Sequence, residues 1–135
     1  MVSIINSAEI RVSSVLNRNV KQFGKAHMLD GQEDTCWNSD QGSPQWIYLK
    51  FSKCVVVREI HLQFQGGFVG KDCYIETGES TKYSFYPEDN NRLQVFKFNG
   101  VNLTDTLKIM FESSTDFFGR ITVYKLDVIS DDDNE

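Results

Sequence analysis

The side chains that could carry out chemistry are few and scattered along this 135-residue chain. Its two histidines, His27 and His61, have no HExxH or other metal-ligand spacing, which argues against a zinc hydrolase. Ser13 and Ser14 lack the GxSxG turn that would raise a nucleophile, and no cysteine has a nucleophile's sequence context. The glycines of QGGFVG form no GxGxxG and open no helix that could hold a phosphate. The acid pairs Glu33–Asp34 and Glu88–Asp89 would serve a glycosidase only if they converged, and neighbours in a turn point apart into water. The residues therefore predict a protein that is not an enzyme.

Composition sets the frame for that reading. A chain of this length forms one domain and buries roughly 70% of the surface its unfolded form exposes. With 40% hydrophobic, 24% charged and 13% aromatic residues it has the balance of an ordinary globular fold. Cys36, Cys54 and Cys73 are odd in number and show no CxxC, so they are read as reduced thiols with packing roles, and the sequon at Asn102 is set aside. The start MVSIINSAEIR lacks a basic leader with a long apolar run, and no span of about 18 apolar residues occurs. The expectation is a protein of the nucleus or cytoplasm that is neither secreted nor membrane-bound. A net charge of −5 disfavours general attraction to nucleic acid. The cations Arg11, Arg18, Lys21 and Lys25 gather near the start, but no long basic helix is present to read a groove, so direct DNA binding is not expected.

Alternation with period two dominates from residue 45 onward. Ile47, Leu49 and Phe51 share one strand face opposite Trp46, Tyr48 and Lys50; Ile60, Leu62 and Phe64 repeat the pattern, as do Leu107, Ile109 and Phe111. Further strands are predicted at Glu9–Leu16, Cys73–Glu76, Thr81–Tyr86, Arg92–Phe98 and Arg120–Ile129, separated by turn-rich clusters. One short helix is predicted near Lys21–Leu29, limited to a turn or two by Gly24. In the last strand Ile121 and Val123 share one face while Tyr124, Leu126 and Val128 share the other, which demands a bulge near Val123. On this reading Tyr124, Leu126 and Val128 point inward, and Lys125 and Asp127 outward. The domain spans residues 1–129, and residues 130–135 form an acidic, frayed tail.

The polar segment feeding the first long strand carries a family resemblance. In LDGQEDTCWNSDQGSPQWIYLKF, the residues Asp30, Gly31, Thr35, Trp37, Ser39, Trp46, Ile47 and Leu49 resemble, in order and spacing, the discoidin pattern, also called factor V/VIII type C or galactose-binding-like. The end GRITVYKLDV resembles that family's closing strand. The resemblance implies an all-β fold, an eight-stranded antiparallel jelly-roll sandwich with one short helix near the N-terminus, in agreement with the strand count. The strings RVSSVLNRN, KQFGK, QFQGGF, FYPEDNN and TDFFGR further resemble a family of small intracellular proteins that associate with a testicular orphan nuclear receptor. That resemblance implies a protein partner, a nuclear receptor, whose transactivation is repressed by interference with its DNA binding.

The discoidin resemblance also implies residue roles. Asp30 and Thr35 match the side-chain ligands of a structural calcium in relatives, and the metal would need six to eight oxygens around them. Lys125 stands where relatives carry a glutamate, and its cation argues against the metal. The expectation is an ion pair from Lys125 to Asp30, with no cofactor; a calcium completed by Glu33, Asp34 or water is the competing case. Trp37 and Trp46 are expected to pack at the end of the sandwich. Candidate partner-binding residues are Phe68, Asn90, Asn91 and Phe118, with Phe68 the exposed anchor; Phe117 and Phe118, being adjacent, should point opposite ways. The leading function is a protein-interaction module. The alternatives are a carbohydrate or small-ligand lectin-like module, which would set Arg18, Arg92 or Arg120 beside an aromatic, and a scaffold subunit of a larger intracellular assembly of the ciliary-transport kind.

Overall fold

The computed structural model describes residues 1–131. Ten antiparallel strands form two five-stranded sheets. The first sheet has the order β1 (Val2–Ser3), β10 (Thr122–Ser130), β5 (Val57–Phe64), β8 (Leu93–Lys97), with β3 (Trp37–Asn38) added to β10. The second has the order β2 (Ala8–Val12), β4 (Gln45–Val55), β9 (Thr104–Ser114), β6 (Gly70–Thr77), β7 (Lys82–Phe85). All eight strands expected from alternation are present. The two additions, β1 and β3, are only two residues each, too short to show a period.

Alternation sorts the side chains because successive residues of a strand face opposite sides of its sheet. Ile47 and Leu49 on β4 lie in register with Ile109 and Leu107 on β9, and all four are fully buried. From the other sheet, Ile60 and Leu62 on β5 pair with Val128 and Leu126 on β10 and fill the same interior. Burying side chains of this size stabilises the fold by about 1.5–3 kcal/mol each. Trp37, fully buried, closes one end of the sandwich. Its indole N–H donates to the Ser14 carbonyl at 2.9 Å, and its ring lies 6.5 Å from that of Phe111, which meets Phe64 edge-on at 5.7 Å. Trp46 differs from expectation. It occupies the outward face of β4 and is only half-buried, because its register places it opposite Met110 rather than opposite Phe111.

The bulge expected in the last strand lies at Tyr124. Val123 pairs with Phe64 and Lys125 with Gln63, so Tyr124 is the extra residue. Leu126 and Val128 point inward as expected. Tyr124 itself stays half-buried at the bulge, outside the core, with its hydroxyl 3.5 Å from Gln65. The strand continues through Ser130, and Asp131 accepts two hydrogen bonds from Arg58 at 2.8 and 2.9 Å, so these two residues are anchored; residues 132–135 of the expected tail lie outside the described residues. The expected helix is divided at Gly24. A single α-turn, α1 (Val20–Phe23), capped by Asn19, is followed by a 3₁₀ turn over Lys25–Met28, with Gly24 extended between them.

All three cysteines are free. Cys73 is buried, which pushes its thiol up to about 12; Cys36 is half-buried and also raised; Cys54, near the end of β4, is exposed. Among the described residues no helix is long and apolar enough to cross a membrane.

Candidate functional site

Two loops meet at Arg120, and a third is tied to one of them. The first, residues 65–69, is fixed to the first sheet because the Gln65 N–H donates to the Thr122 carbonyl and the Thr122 N–H to the Phe68 carbonyl, both at 3.1 Å. The second, residues 86–92, is tied to the first: Asn91 Oδ1 accepts from the Gly66 N–H at 2.6 Å, and Asp89 Oδ1 from the Gly67 N–H at 2.7 Å. Asn90 Oδ1 accepts from the Arg92 N–H at 2.9 Å. The Asn90 amide thus braces its own loop, and the Asn91 amide ties the two loops to each other.

The third loop leaves β9 and turns over Asp116–Gly119, where the Gly119 N–H donates to the Asp116 carbonyl at 3.0 Å. Asp116 clamps this turn. Its carboxylate accepts from Nε of Arg120 at 2.9 Å, from Nη2 at 3.2 Å and from the Arg120 backbone N–H at 3.1 Å. The Arg120 side-chain bonds, with the guanidinium charge, hold the Asp116 carboxyl below the usual carboxylate range. Gly119 has φ +84°, and a Cβ there would meet the Gly42 carbonyl oxygen at 2.7 Å, so a side chain is excluded on both counts. The Gly42 N–H in turn donates to the Phe118 carbonyl at 2.8 Å.

The clamp presents two aromatic rings to solvent. Phe117 is 93% exposed and Phe118 53%, packed edge to face at 5.3 Å. They do not point opposite ways, because that rule holds for an extended strand and these residues form a tight turn. The Arg120 guanidinium lies 5.1 Å from the Phe68 ring and 5.6 Å from the Phe118 ring. Phe68 is therefore half-buried, and Phe117 is the exposed anchor in its place. The spacing Asp116-x-x-x-Arg120 was the sequence signal for this clamp, and it is an ordinary i,i+4 charge pair. Of the arginines considered for a sugar fork, Arg120 is the one beside aromatics, but Nε and Nη2 are already engaged by Asp116.

The Asp30 loop is built separately. Thr35 Oγ1 donates to the Asp30 carboxylate, 2.8 and 2.7 Å from its two oxygens, and the Gln32 N–H donates at 2.9 Å. These bonds hold the Asp30 carboxyl below its ordinary value, the threonine hydroxyl contributing most. The side chain facing Asp30 is His27, whose Nδ1 lies 3.2 Å from Oδ2, and not Lys125. Lys125 lines a shallow cavity beside Leu29, His61, Leu93 and Asp127. An i,i+3 spacing was the only sign of the His27 pairing. The Asp30 carboxylate already accepts from a hydroxyl and an amide and faces an imidazole, so a calcium here would draw its remaining oxygens from backbone carbonyls and water. Among the described residues no three His, Cys, Asp or Glu side chains cluster as a metal site. The other histidine, His61, has its Nε2 2.8 Å from Glu59.

Comparison with known proteins agrees with this architecture. No family model matches the chain. It is 56% identical over 135 residues to the nuclear receptor 2C2-associated protein of Danio rerio, covering 96% of each chain. It is 48% identical over 126 residues to the human protein of that name, covering 90% of each. Among solved structures it resembles the family 32 carbohydrate-binding module of C. perfringens NanJ in complex with galactose, at TM-score 0.76 and 16% identity, covering 93% of this chain and 96% of that one. It also resembles an F5/8 type C domain from Bacteroides fragilis, at TM-score 0.75 and 11% identity, covering 91% of each. These likenesses establish a galactose-binding-like β-sandwich fold.

Proposed function

The chain belongs to the nuclear receptor 2C2-associated protein family, and from that premise we propose that it is a non-enzymatic binding module whose partner is a nuclear receptor. The relatives' name supplies the partner class, and the Phe117–Phe118 turn supplies the surface. The observation carrying this assignment is that two adjacent phenylalanines are held in solvent by a clamped turn. An exposed aromatic on a rigid support loses little conformational freedom when it enters a pocket, which is how a few residues come to dominate an interface.

Binding at this turn would lower transactivation by masking the receptor's DNA-binding surface, so the protein needs no DNA contact of its own and works in the nucleus or cytoplasm. On this reading the Asp30 loop is held by its own hydrogen bonds, from Thr35 and from the Gln32 N–H, without calcium. The galactose-bound neighbour and the position of Arg120 between two rings favour a sugar site as the second reading. The engagement of Arg120 by Asp116 counts against it, since fewer donors remain for hydroxyl groups.

The test is receptor capture with wild-type protein and a Phe117→Ala/Phe118→Ala variant. Both positions are exposed, so stability should stay within about 0.5 kcal/mol. Affinity should fall at least about tenfold. Wild-type protein should also reduce the receptor–DNA band in a gel shift without shifting the duplex itself. Full receptor binding by the double variant, or reproducible glycan-array signals with no receptor captured, would overturn the proposal.

A further inference from the structure

The outward face of the second sheet is unusually aromatic and basic for a solvent-facing surface. Strand pairing lines up Arg11, Tyr48, Lys108, Glu76 and Lys82 in one row across β2, β4, β9, β6 and β7. Two residues along the strands runs a second row, Trp46, Met110 and Tyr74. Met110 points outward, since its neighbours Ile109 and Phe111 face the interior, yet it is buried, only 8% exposed, outside the contiguous interior cluster. It is covered from the solvent side, between Trp46 and Tyr74. The two rows are joined by cations over rings: Lys108 Nζ stands 4.8 Å from the Trp46 centroid, and Lys82 Nζ 4.8 Å from that of Tyr74.

A cavity of about 360 Å³ opens over this face, lined by Glu9, Arg11, Trp46, Tyr48, Lys50 and Lys108. Lys50 is held by Asp105, which leaves Arg11 and Lys108 with two acids nearby, Glu9 in the cavity lining and Glu76 in register with Lys108. The cations Arg11, Lys50, Lys82 and Lys108 slightly outnumber the acids Glu9, Glu76 and Asp105 on this face, in a chain whose net charge is −5. Tryptophan, tyrosine and arginine are also the residues most enriched where binding energy concentrates in protein interfaces.

We infer that this face is a second docking surface, taking an acidic amphipathic helix from a partner protein. Its dimensions select that shape. Neighbouring strands lie about 4.8 Å apart, so Arg11 and Lys108, two strands apart with Tyr48 between, are about 10 Å apart at their bases. On an α-helix, residues i and i+7 are separated by about 10.5 Å along the axis. A helix laid across the strands puts carboxylates at i and i+7 onto Arg11 and Lys108, and the apolar positions i+3 and i+4 over Tyr48 and the Trp46–Met110–Tyr74 row. Glu76, next in the charged row, fixes the register, because a further carboxylate would meet it. Glu9 and Glu76 likewise disfavour nucleic acid, whose closely spaced phosphates cannot avoid them.

The probe is a synthetic helical peptide of about 15 residues with glutamates at i and i+7 and leucines at i+3 and i+4, titrated into the ¹⁵N-labelled full chain. Saturable binding should shift resonances of Arg11, Trp46, Tyr48, Tyr74 and Lys108. A glutamine version of the peptide should bind at least about tenfold more weakly. Arg11→Glu/Lys108→Glu should abolish binding, and the milder Arg11→Gln/Lys108→Gln should weaken it with an unchanged melting curve. Phe117→Ala/Phe118→Ala should bind the peptide normally, which separates this surface from the receptor turn. Absence of binding at about millimolar peptide, shifts centred on the Phe117 turn, or equal affinity for a single-stranded oligonucleotide would overturn the inference.

Discussion

Both ring nitrogens of His27 face acceptors: Nε2 lies 2.8 Å from the Lys21 carbonyl, and Nδ1 faces the Asp30 carboxylate. A neutral imidazole donates from only one nitrogen, so the doubly protonated ring is the form this geometry satisfies. The Lys21 carbonyl, and then Asp30, raise the His27 value above its ordinary 6.5. Its contribution to stability is complete below pH 6.5 and is lost as pH rises through the raised value. Asp30 is shifted the other way, below 3.8, so its contribution is present above that value and lost as pH falls through the lowered one. The helical turn and the Asp30 loop are therefore latched most firmly between the two. The thermal midpoint of the wild type should fall as pH rises from about 5.5 to about 8, more than that of a His27→Asn variant. In the same assay about millimolar calcium should leave the midpoint unmoved; a stabilisation abolished by Asp30→Ala would restore the metal. Asp30 is met by His27 and not by Lys125, which lines a cavity with His61, Leu93 and Asp127, a juxtaposition across elements that residue spacing does not show.

At the level of elements, legibility followed period and length. The long strands β4, β5 and β9 announce themselves because each buries three or more alternating residues. The strands β1 and β3 are too short to do so, and Trp46 was misplaced because a large aromatic reads as core whichever face it occupies. The Phe117–Phe118 turn departs from strand alternation because Asp116, Arg120 and Gly119 set its conformation. Glycines mark further constraints that no period reveals. A Cβ on Gly70 would lie 2.4 Å from Phe111 and 2.9 Å from the Cys73 sulfur, both buried. Since Phe111 also packs on Trp37 and Phe64, neither neighbour has room to retreat. Gly70→Ala should destabilise the protein by about 1–3 kcal/mol, read as a lower urea midpoint at unchanged slope; a midpoint within error of wild type would mean that β6 shifts freely.

Seen whole, the molecule separates its two proposed binding surfaces from its core. The sandwich interior is complete without Phe117, Phe118, Arg11, Trp46 or Lys108, so each surface is free to vary without cost to folding. The aromatic turn projects from the loops around Arg120, and the cationic row lies on the outward face of the second sheet. A protein built this way can hold two partners at once, and the two sets of variants should show additive, independent losses. The fold was readable from alternation and the discoidin-like pattern. The surfaces were not, because both depend on residues brought together across strands and turns that lie far apart in the chain.

The three thiols differ in burial enough to behave as different reagents. Cys73 is buried and protonated up to about 12, Cys36 is half-covered and raised, and Cys54 is exposed. Access favours alkylation at Cys54, while burial holds the other two thiols protonated and out of reach. The folded protein should take up one equivalent of iodoacetamide quickly, and two more on unfolding; fast uptake of all three would contradict the burial pattern. Cys54 is thus a natural attachment point for a dye or spin label, well removed along β4 from Trp46, from which the arrival of a partner on either surface could be timed.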